Sequence, residues 1–166
     1  RGLSFPEADA VLAAPDTSRH PAVGSADIYN VYGCNMSFRL TPIHAAAISF
    51  DEALPSYGWL EDVDFSRRIA RHGRIALVEE ARGVHLGVKS GRQSGRRFGY
   101  SQVANPIHLA RQGTCSWRRA LSLMARNIGM NVARSGWPEP HVDRRGRCAG
   151  NLVALTDLVG GRLHPS

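Results

Sequence analysis

The segment YGWLEDVDFSRRIARHG, Tyr57 to Gly73, constrains the fold more than any other part of the chain. Three carboxylates, Glu61, Asp62 and Asp64, crowd into four residues directly behind Trp59. Asp62, Phe65 and Ile69 then stand at i, i+3 and i+7, which is one face of a helix. The spacing predicts a helix running to about His72, with Phe65 and Ile69 in the core and Asp62 at the exposed end of their stripe. Basic Arg67, Arg68 and Arg71 suit its C-terminal end, and Gly73 is expected to supply a left-handed stop. Acids in a first turn are favoured by the helix dipole by about 0.3–1 kcal/mol, which alone would explain them. A reactive carboxylate pair beside an aromatic plate is the competing explanation.

Upstream, IYNVYGCNMSFRL alternates around β-forming residues and predicts one or two short strands broken at Gly33. TPIHAAAISF predicts a helix, with Thr41 as cap and Pro42 in the first turn. Residues 1–27 read as loop with one short helix. Downstream, RIALV reads as a buried strand, EEARG as a turn and VHLG as a short strand. KSGRQSGRRFGYSQ reads as a mobile basic loop from its Gly, Ser and Arg content. Helices are expected at about 100–112 and 116–134, and a last short one in GNLVALTDLVGG. In the 116–134 helix, Trp117, Leu121, Met124, Ile128 and Val132 recur at helical spacing among Arg118, Arg119, Arg126 and Arg134.

The net charge of +7 over 166 residues hides a division. Residues 1–80 carry eleven Asp/Glu and seven Arg, a net of −4, whereas residues 81–166 carry three Asp/Glu and fourteen Lys/Arg, a net of +11. No acid falls between Lys89 and Arg134. An anionic partner is expected on the second half: a diphosphate, a nucleic acid or an acidic membrane surface. An apolar fraction of 43% suits one globular domain or part of a larger one. No leader pattern is legible, and no apolar run approaches the ~20 residues that span a bilayer. Cys34, Cys115 and Cys148 are odd in number, far apart and without metal-ligand spacing, so packing roles in a reducing compartment are expected.

Four segments in order carry a resemblance: Gly33-Cys34-Asn35-Met36-Ser37-Phe38-Arg39, Phe50-Asp51-Glu52, Gly58-Trp59-Leu60-Glu61-Asp62-Val63-Asp64-Phe65 and Gly83-Val84-His85. Together they resemble the C-terminal half of a family 2 glycosyltransferase with the GT-A fold. The resemblance covers residues 33–87, and the ordered set is more specific than any one member. It implies an α/β architecture: a partial, Rossmann-like GT-A domain over residues 1–88 and a basic, mainly helical extension over 89–166. It also implies inverting transfer of a single sugar from a nucleotide-sugar donor to a glycan or lipid-linked acceptor.

Such a reaction needs a base for the acceptor hydroxyl and a divalent cation, Mn²⁺ or Mg²⁺, for the departing diphosphate. By position in the motif Asp62 is the base. Glu61, Trp59, Asp64, Asn35 and Arg39 are acceptor-side, with Glu61 orienting hydroxyls or tuning Asp62, since close like charges raise one pKa. Asp64 could equally be a helix-start residue, and Trp59 could pack the loop instead of a sugar. His85 matches a metal-ligand position, although a lone His at a strand end also serves structure. Arg96 and Arg97 suit phosphate oxygens or a solvated loop.

The family's Asp-x-Asp is not found ahead of Asp62, so a fragment holding the acceptor-and-base half, inactive alone and without tight sugar-nucleotide binding, is expected. A basic module for nucleic acid or for anionic membrane is the alternative function. Nucleic acid is the less expected partner, because no known binding motif is legible. The 116–134 helix could instead lie on anionic lipid, placing the protein in the cytoplasm or on the inner membrane face.

Overall fold

The structure, a computed structural model, describes residues 3–14, 25–54, 58–78, 83–87, 94–137 and 139–163. Among these, regular structure runs α1 (Phe5–Ala13), β1 (Ser25–Asp27), α2 (Leu40–Ala45), α3 (Glu61–Ile69), β2 (Ala76–Val78), α4 (Gly95–Gln112), α5 (Trp117–Arg134) and α6 (Arg144–Val159). The described residues are mostly helical, with α4, α5 and α6 packed as a bundle.

This overturns the α/β, Rossmann-like expectation. A GT-A domain needs a parallel sheet fed by crossover helices. Among the described residues the sheet is one antiparallel pair, Ser25–Asp27 against Ala76–Val78, three residues a side. IYNVYGCNMSFRL adds to the pair only through Ile28 N–H, which donates to the Ile75 carbonyl (3.0 Å); further on, Tyr32 and Asn35 form an isolated bridge across a turn at Gly33 and Cys34. VHLG is likewise not a strand, and the EEARG turn falls mostly outside the described residues. For the first segment the reason is local: Val31, Gly33 and Phe38 meet α3 rather than a partner strand.

Other boundaries also moved. α2 begins one residue before Thr41, which therefore lies inside the helix, and Arg39 at its N-cap offers no side-chain bond. α3 ends at Ile69, and Gly73 is not among the positive-φ glycines, so no left-handed stop forms there. α4 starts at Gly95, five residues earlier than expected, capped by Ser94 Oγ, which accepts from the Arg97 N–H. Arg96 and Arg97 thus occupy a helical first turn, not a loop.

Two apolar clusters hold the described residues. Leu54, Val63, Leu109, Ala110, Cys115 and Ala120 form one, joining α3 to α4 and the start of α5. Residues 1–88 and 89–166 therefore share core side chains. Val103, Ala104, Ile107, Met124, Ala154 and Leu163 form the other, inside the bundle. Beyond the bundle cluster, on the side away from α3, lies a buried polar link. Asn131 Nδ2 donates to Gln102 Oε1 (2.8 Å) and to Asn151 Oδ1 (2.9 Å), and Asn151 Nδ2 donates to the Gly99 carbonyl (2.7 Å). That link turns α5 away from its expected stripe. Ala120, Met124 and Asn131 face inward, whereas Trp117, Leu121 and Val132 are 51%, 56% and 60% exposed. Among the described residues no helix is long and apolar enough to cross a membrane.

Candidate functional site

The acid pair sits at the N-terminus of α3, entered through an unusual corner. Gly58 has φ +59° and Leu60, a non-glycine N-cap, has φ +77°. A left-handed Leu costs about 1–2 kcal/mol. The conformation is held by packing of Leu60 against the Leu54–Val63–Leu109 cluster and by two backbone bonds, Glu61 N–H to Gly58 (2.8 Å) and Asp64 N–H to Leu60 (2.9 Å). Such a corner turns the first helical side chains back over the preceding loop.

The GCNMSFR turn lies directly on the pair. Gly33 N–H donates to Asp62 Oδ2 (3.1 Å), and a Cβ at Gly33 would stand 3.6 Å from both Asp62 Cβ and Glu61 Oε1. Gly58 comes as near to Glu61 Oε2 on the other side. Asp62 Oδ1 accepts from Val63 N–H (2.8 Å). A carboxylate has about four lone-pair sites, so Asp62 keeps acceptor capacity beyond these two bonds.

Burial holds the Glu61 pKa above its ordinary 4.5; a backbone hydrogen bond to its carboxylate offsets part of that rise, and the neighbouring Asp62 charge adds a smaller push upward. A carboxyl with a raised pKa favours the fold when protonated. That stability is whole below about 4.5 and is lost as pH rises through the raised folded value. Glu61→Gln is therefore expected to match the parent chain below about pH 4 and to be the more stable at about pH 7. Urea midpoints at the two pH values measure this, and an equal difference at both would show that the carboxyl is not desolvated.

Behind the pair, one phenylalanine from each of three segments meets. Phe38 lies edge-on to Phe65 (4.9 Å, 67°) and Phe50 stacks on it (4.4 Å, 21°). Ser66, fully buried, ties the same layers: Val31 N–H donates to its Oγ (3.1 Å), and its hydroxyl donates to the Asp62 carbonyl. The rings fix the turn at Gly33, the loop at Phe50 and the helix start in one place, so Asp62 is held by packing rather than by a charged partner.

No family model, curated protein or solved structure matches this chain. The site must therefore be read from its own geometry.

The remaining predicted residues divide. Trp59 is half-buried at the same corner; its ring meets the edge of Phe98 (5.9 Å, 66°), and its carbonyl accepts from Asn105 Nδ2 (2.7 Å). Asp64 points inward with no exposed surface. Its Oδ1 accepts from Thr114 Oγ1 (2.7 Å) and its Oδ2 pairs with Arg68 (2.7 Å), so in this arrangement it braces the fold and touches no ligand. Asn35 is exposed and closes the Gly33 turn through its backbone, N–H to the Tyr32 carbonyl (2.8 Å). Arg39 lines a different cleft, at the far end of α3. Arg96 and Arg97 border a shallow cavity with Tyr100 and Gly150. His85 is exposed, with Nδ1 accepting from Gly87 N–H (2.9 Å). Among the described residues no three His, Cys, Asp or Glu side chains gather as a cation site.

Sequence reasoning missed a second polar group. Asp51 Oδ2 meets His108 Nε2 (2.6 Å) and accepts from Gln112 Nε2 (2.8 Å), anchoring the FDE loop to α4. Burial pushes the Asp51 pKa up, but bonds from His108, Ala53 and Gln112 together bring it below its ordinary value. Asp51 belonged to a quoted motif. Its partners lie 57 and 61 positions on, where nothing local marks them.

Proposed function

We propose that this chain carries the acceptor and base side of an inverting sugar transferase. The observation that supports the reading is the convergence of its motifs. Gly33, Phe38, Phe50, Glu61, Asp62 and Phe65 come from three separated segments, and they meet at one helix start with two carboxylates against a glycine turn. In the reaction a hydroxyl of a glycan or lipid-linked acceptor gives its proton to Asp62 as its oxygen attacks the anomeric carbon. The new carbon–oxygen bond forms on the face opposite the departing nucleoside diphosphate, whose own bond to that carbon breaks. Glu61, beside it, donates to or accepts from a second acceptor hydroxyl. The nucleotide sugar, and the Mn²⁺ or Mg²⁺ that would steady its diphosphate, are the partners this reading requires.

Titration of the ¹⁵N-labelled chain with a panel of mono- and disaccharides tests the acceptor side. At least one saccharide is expected to shift the amides of Gly33, Gly58 and Glu61, with Glu61→Gln weakening the effect roughly tenfold, the worth of one hydrogen bond to a charged group. Saturating sugar that leaves those amides in place would end the proposal.

A second reading, an anionic membrane surface as partner, is favoured by the α5 edge. Trp117, Leu121 and Val132 stand exposed there, with Arg118, Arg119 and Arg126 on the same helix. An apolar edge beside guanidinium groups suits the headgroup boundary of a bilayer. Flotation on phosphatidylglycerol vesicles is expected, with loss in Trp117→Ser/Leu121→Ser and on neutral vesicles. Equal partitioning to both lipids would leave α5 with a packing role only.

A further inference from the structure

The far end of α3 borders a cleft that the acid pair does not use. It has a volume of about 420 Å³ and lies between the start of α2, the end of α3 and β2. Ligand pockets commonly run from ~300 to ~1,000 Å³. Its wall is apolar: Val31, Phe38, Pro42, Ile69, Ile75 and Ala76. Phe38 and Ile69 are fixed from behind, the first by its contact with Phe65 and the second by burial to 7% exposure. The wall is therefore held in shape before any ligand arrives.

Its polar rim carries Arg39, His72 and Arg74, and among the described residues no carboxylate lines it. Arg74 is committed to Asp27 (2.9 Å). Arg39 and His72 are exposed, and neither has an ion pair or side-chain hydrogen bond among the described residues. A guanidinium and an imidazole left over an apolar trough complement a molecule with an anionic head and an apolar body. Neither a bare anion nor a neutral lipid tail would use both halves of that surface.

We propose that this cleft binds a small amphipathic anion, an alkyl or aryl phosphate or carboxylate, with its head on Arg39 and His72 and its body along Phe38 and Ile69. The site stands independently of the sugar-transfer reading, because the acid pair lies at the opposite end of α3.

Octyl phosphate, octanol and inorganic phosphate, each titrated into the ¹⁵N-labelled full chain, separate the contributions. Octyl phosphate is expected to saturate and to move the amides of Phe38, Ile69, His72 and Ala76. Octanol and inorganic phosphate are each expected to bind about tenfold or more weakly. Arg39→Gln and His72→Gln, both surface changes that leave the fold in place by circular dichroism, should each weaken octyl phosphate several-fold without affecting octanol. Vesicles of phosphatidylcholine with phosphatidic acid distinguish the source. Flotation that is lost in Arg39→Gln assigns the anion to a lipid headgroup, and octyl phosphate binding without such flotation assigns a free metabolite. Octanol binding as tightly as octyl phosphate, or shifts mapping away from the cleft, would overturn the proposal.

Discussion

Gly150→Leu is expected to lower stability by about 3 kcal/mol or more, at the upper end of what overpacking costs. The α4–α6 contact is built on glycines spaced by four, Gly95 and Gly99 on one helix and Gly146 and Gly150 on the other, continued by Ala154. A Cβ at Gly150 would fall on the Arg96 carbonyl oxygen and stand 2.7 Å from the Tyr100 nitrogen. At Gly99 it would fall on the Arg147 backbone in the same way. Backbone, not a flexible side chain, meets the new atom, so the helices must separate along their length. Glycine in a helix interior costs roughly 0.5–1 kcal/mol relative to Ala. The close approach must therefore repay its glycines through dispersion and Cα–H···O contacts. Separation would also draw Phe98 from the Arg147 guanidinium, which sits 4.5 Å over its ring. Urea denaturation is expected to show a midpoint lower by roughly 1–3 M. Gly129, in the interior of α5 with nothing within 4 Å of its missing Cβ, provides the contrast. Gly129→Ala should raise stability by about 0.5–1 kcal/mol. Equal effects at the two positions would mean that helix propensity, not packing, governs this bundle.

The same glycines explain one failure of the sequence reading. In GRRFGYSQ, Gly and Ser lower helix propensity, so the stretch reads as loop. Tertiary packing reverses that, because the residues with no side chain make the seam. α3 was legible for the opposite reason: acids in the first turn, a Phe65–Ile69 stripe and arginines at the end all pointed one way. Its entry was not, since nothing about a leucine suggests φ +77°. The expected strands failed through partnership. Alternation in IYNVYGCNMSFRL satisfies a strand locally, yet Phe38 and Gly33 N–H found Phe65 and Asp62 instead of a ladder. Periodicity reports which residues want burial and says nothing about what buries them. The α5 stripe erred by rotation, because a polar Asn131 in the core outranked Trp117. Three of the four quoted segments, those at Gly33, Phe50 and Trp59, do meet at the start of α3, whereas His85 of the fourth is exposed and bonds Gly87.

Asp64 belongs to the quoted motif, and its burial and pairing with Thr114 and Arg68 predict a role in the frame. Asp64→Ala is expected to cost about 3 kcal/mol, near the lower bound for breaking a buried pair, because Arg68 keeps 26% of its side chain in water and can partly rehydrate. The loss has two parts. Thr114 Oγ1, buried at 4% exposure, would forfeit its 2.7 Å bond to the carboxylate and keep a weaker one to the Leu109 carbonyl (3.3 Å). Arg68 would forfeit its only ion pair among the described residues. Asp64→Asn, which preserves an acceptor for Thr114, should lose less. Removing both charges in Asp64→Leu/Arg68→Met should recover much of the deficit, since an apolar pair in place of a buried ion pair is often neutral. Thermal and urea unfolding of the parent chain, Asp64→Leu, Arg68→Met and Asp64→Leu/Arg68→Met forms a double-mutant cycle, with a coupling of about 1–3 kcal/mol expected between the two positions. Saccharide titrations on Asp64→Asn should match those on the parent chain, because the carboxylate has no exposed surface from which to reach a ligand. A coupling near zero would remove Asp64 from the frame. Loss of sugar binding in Asp64→Asn with stability intact would instead move it into the site beside Asp62.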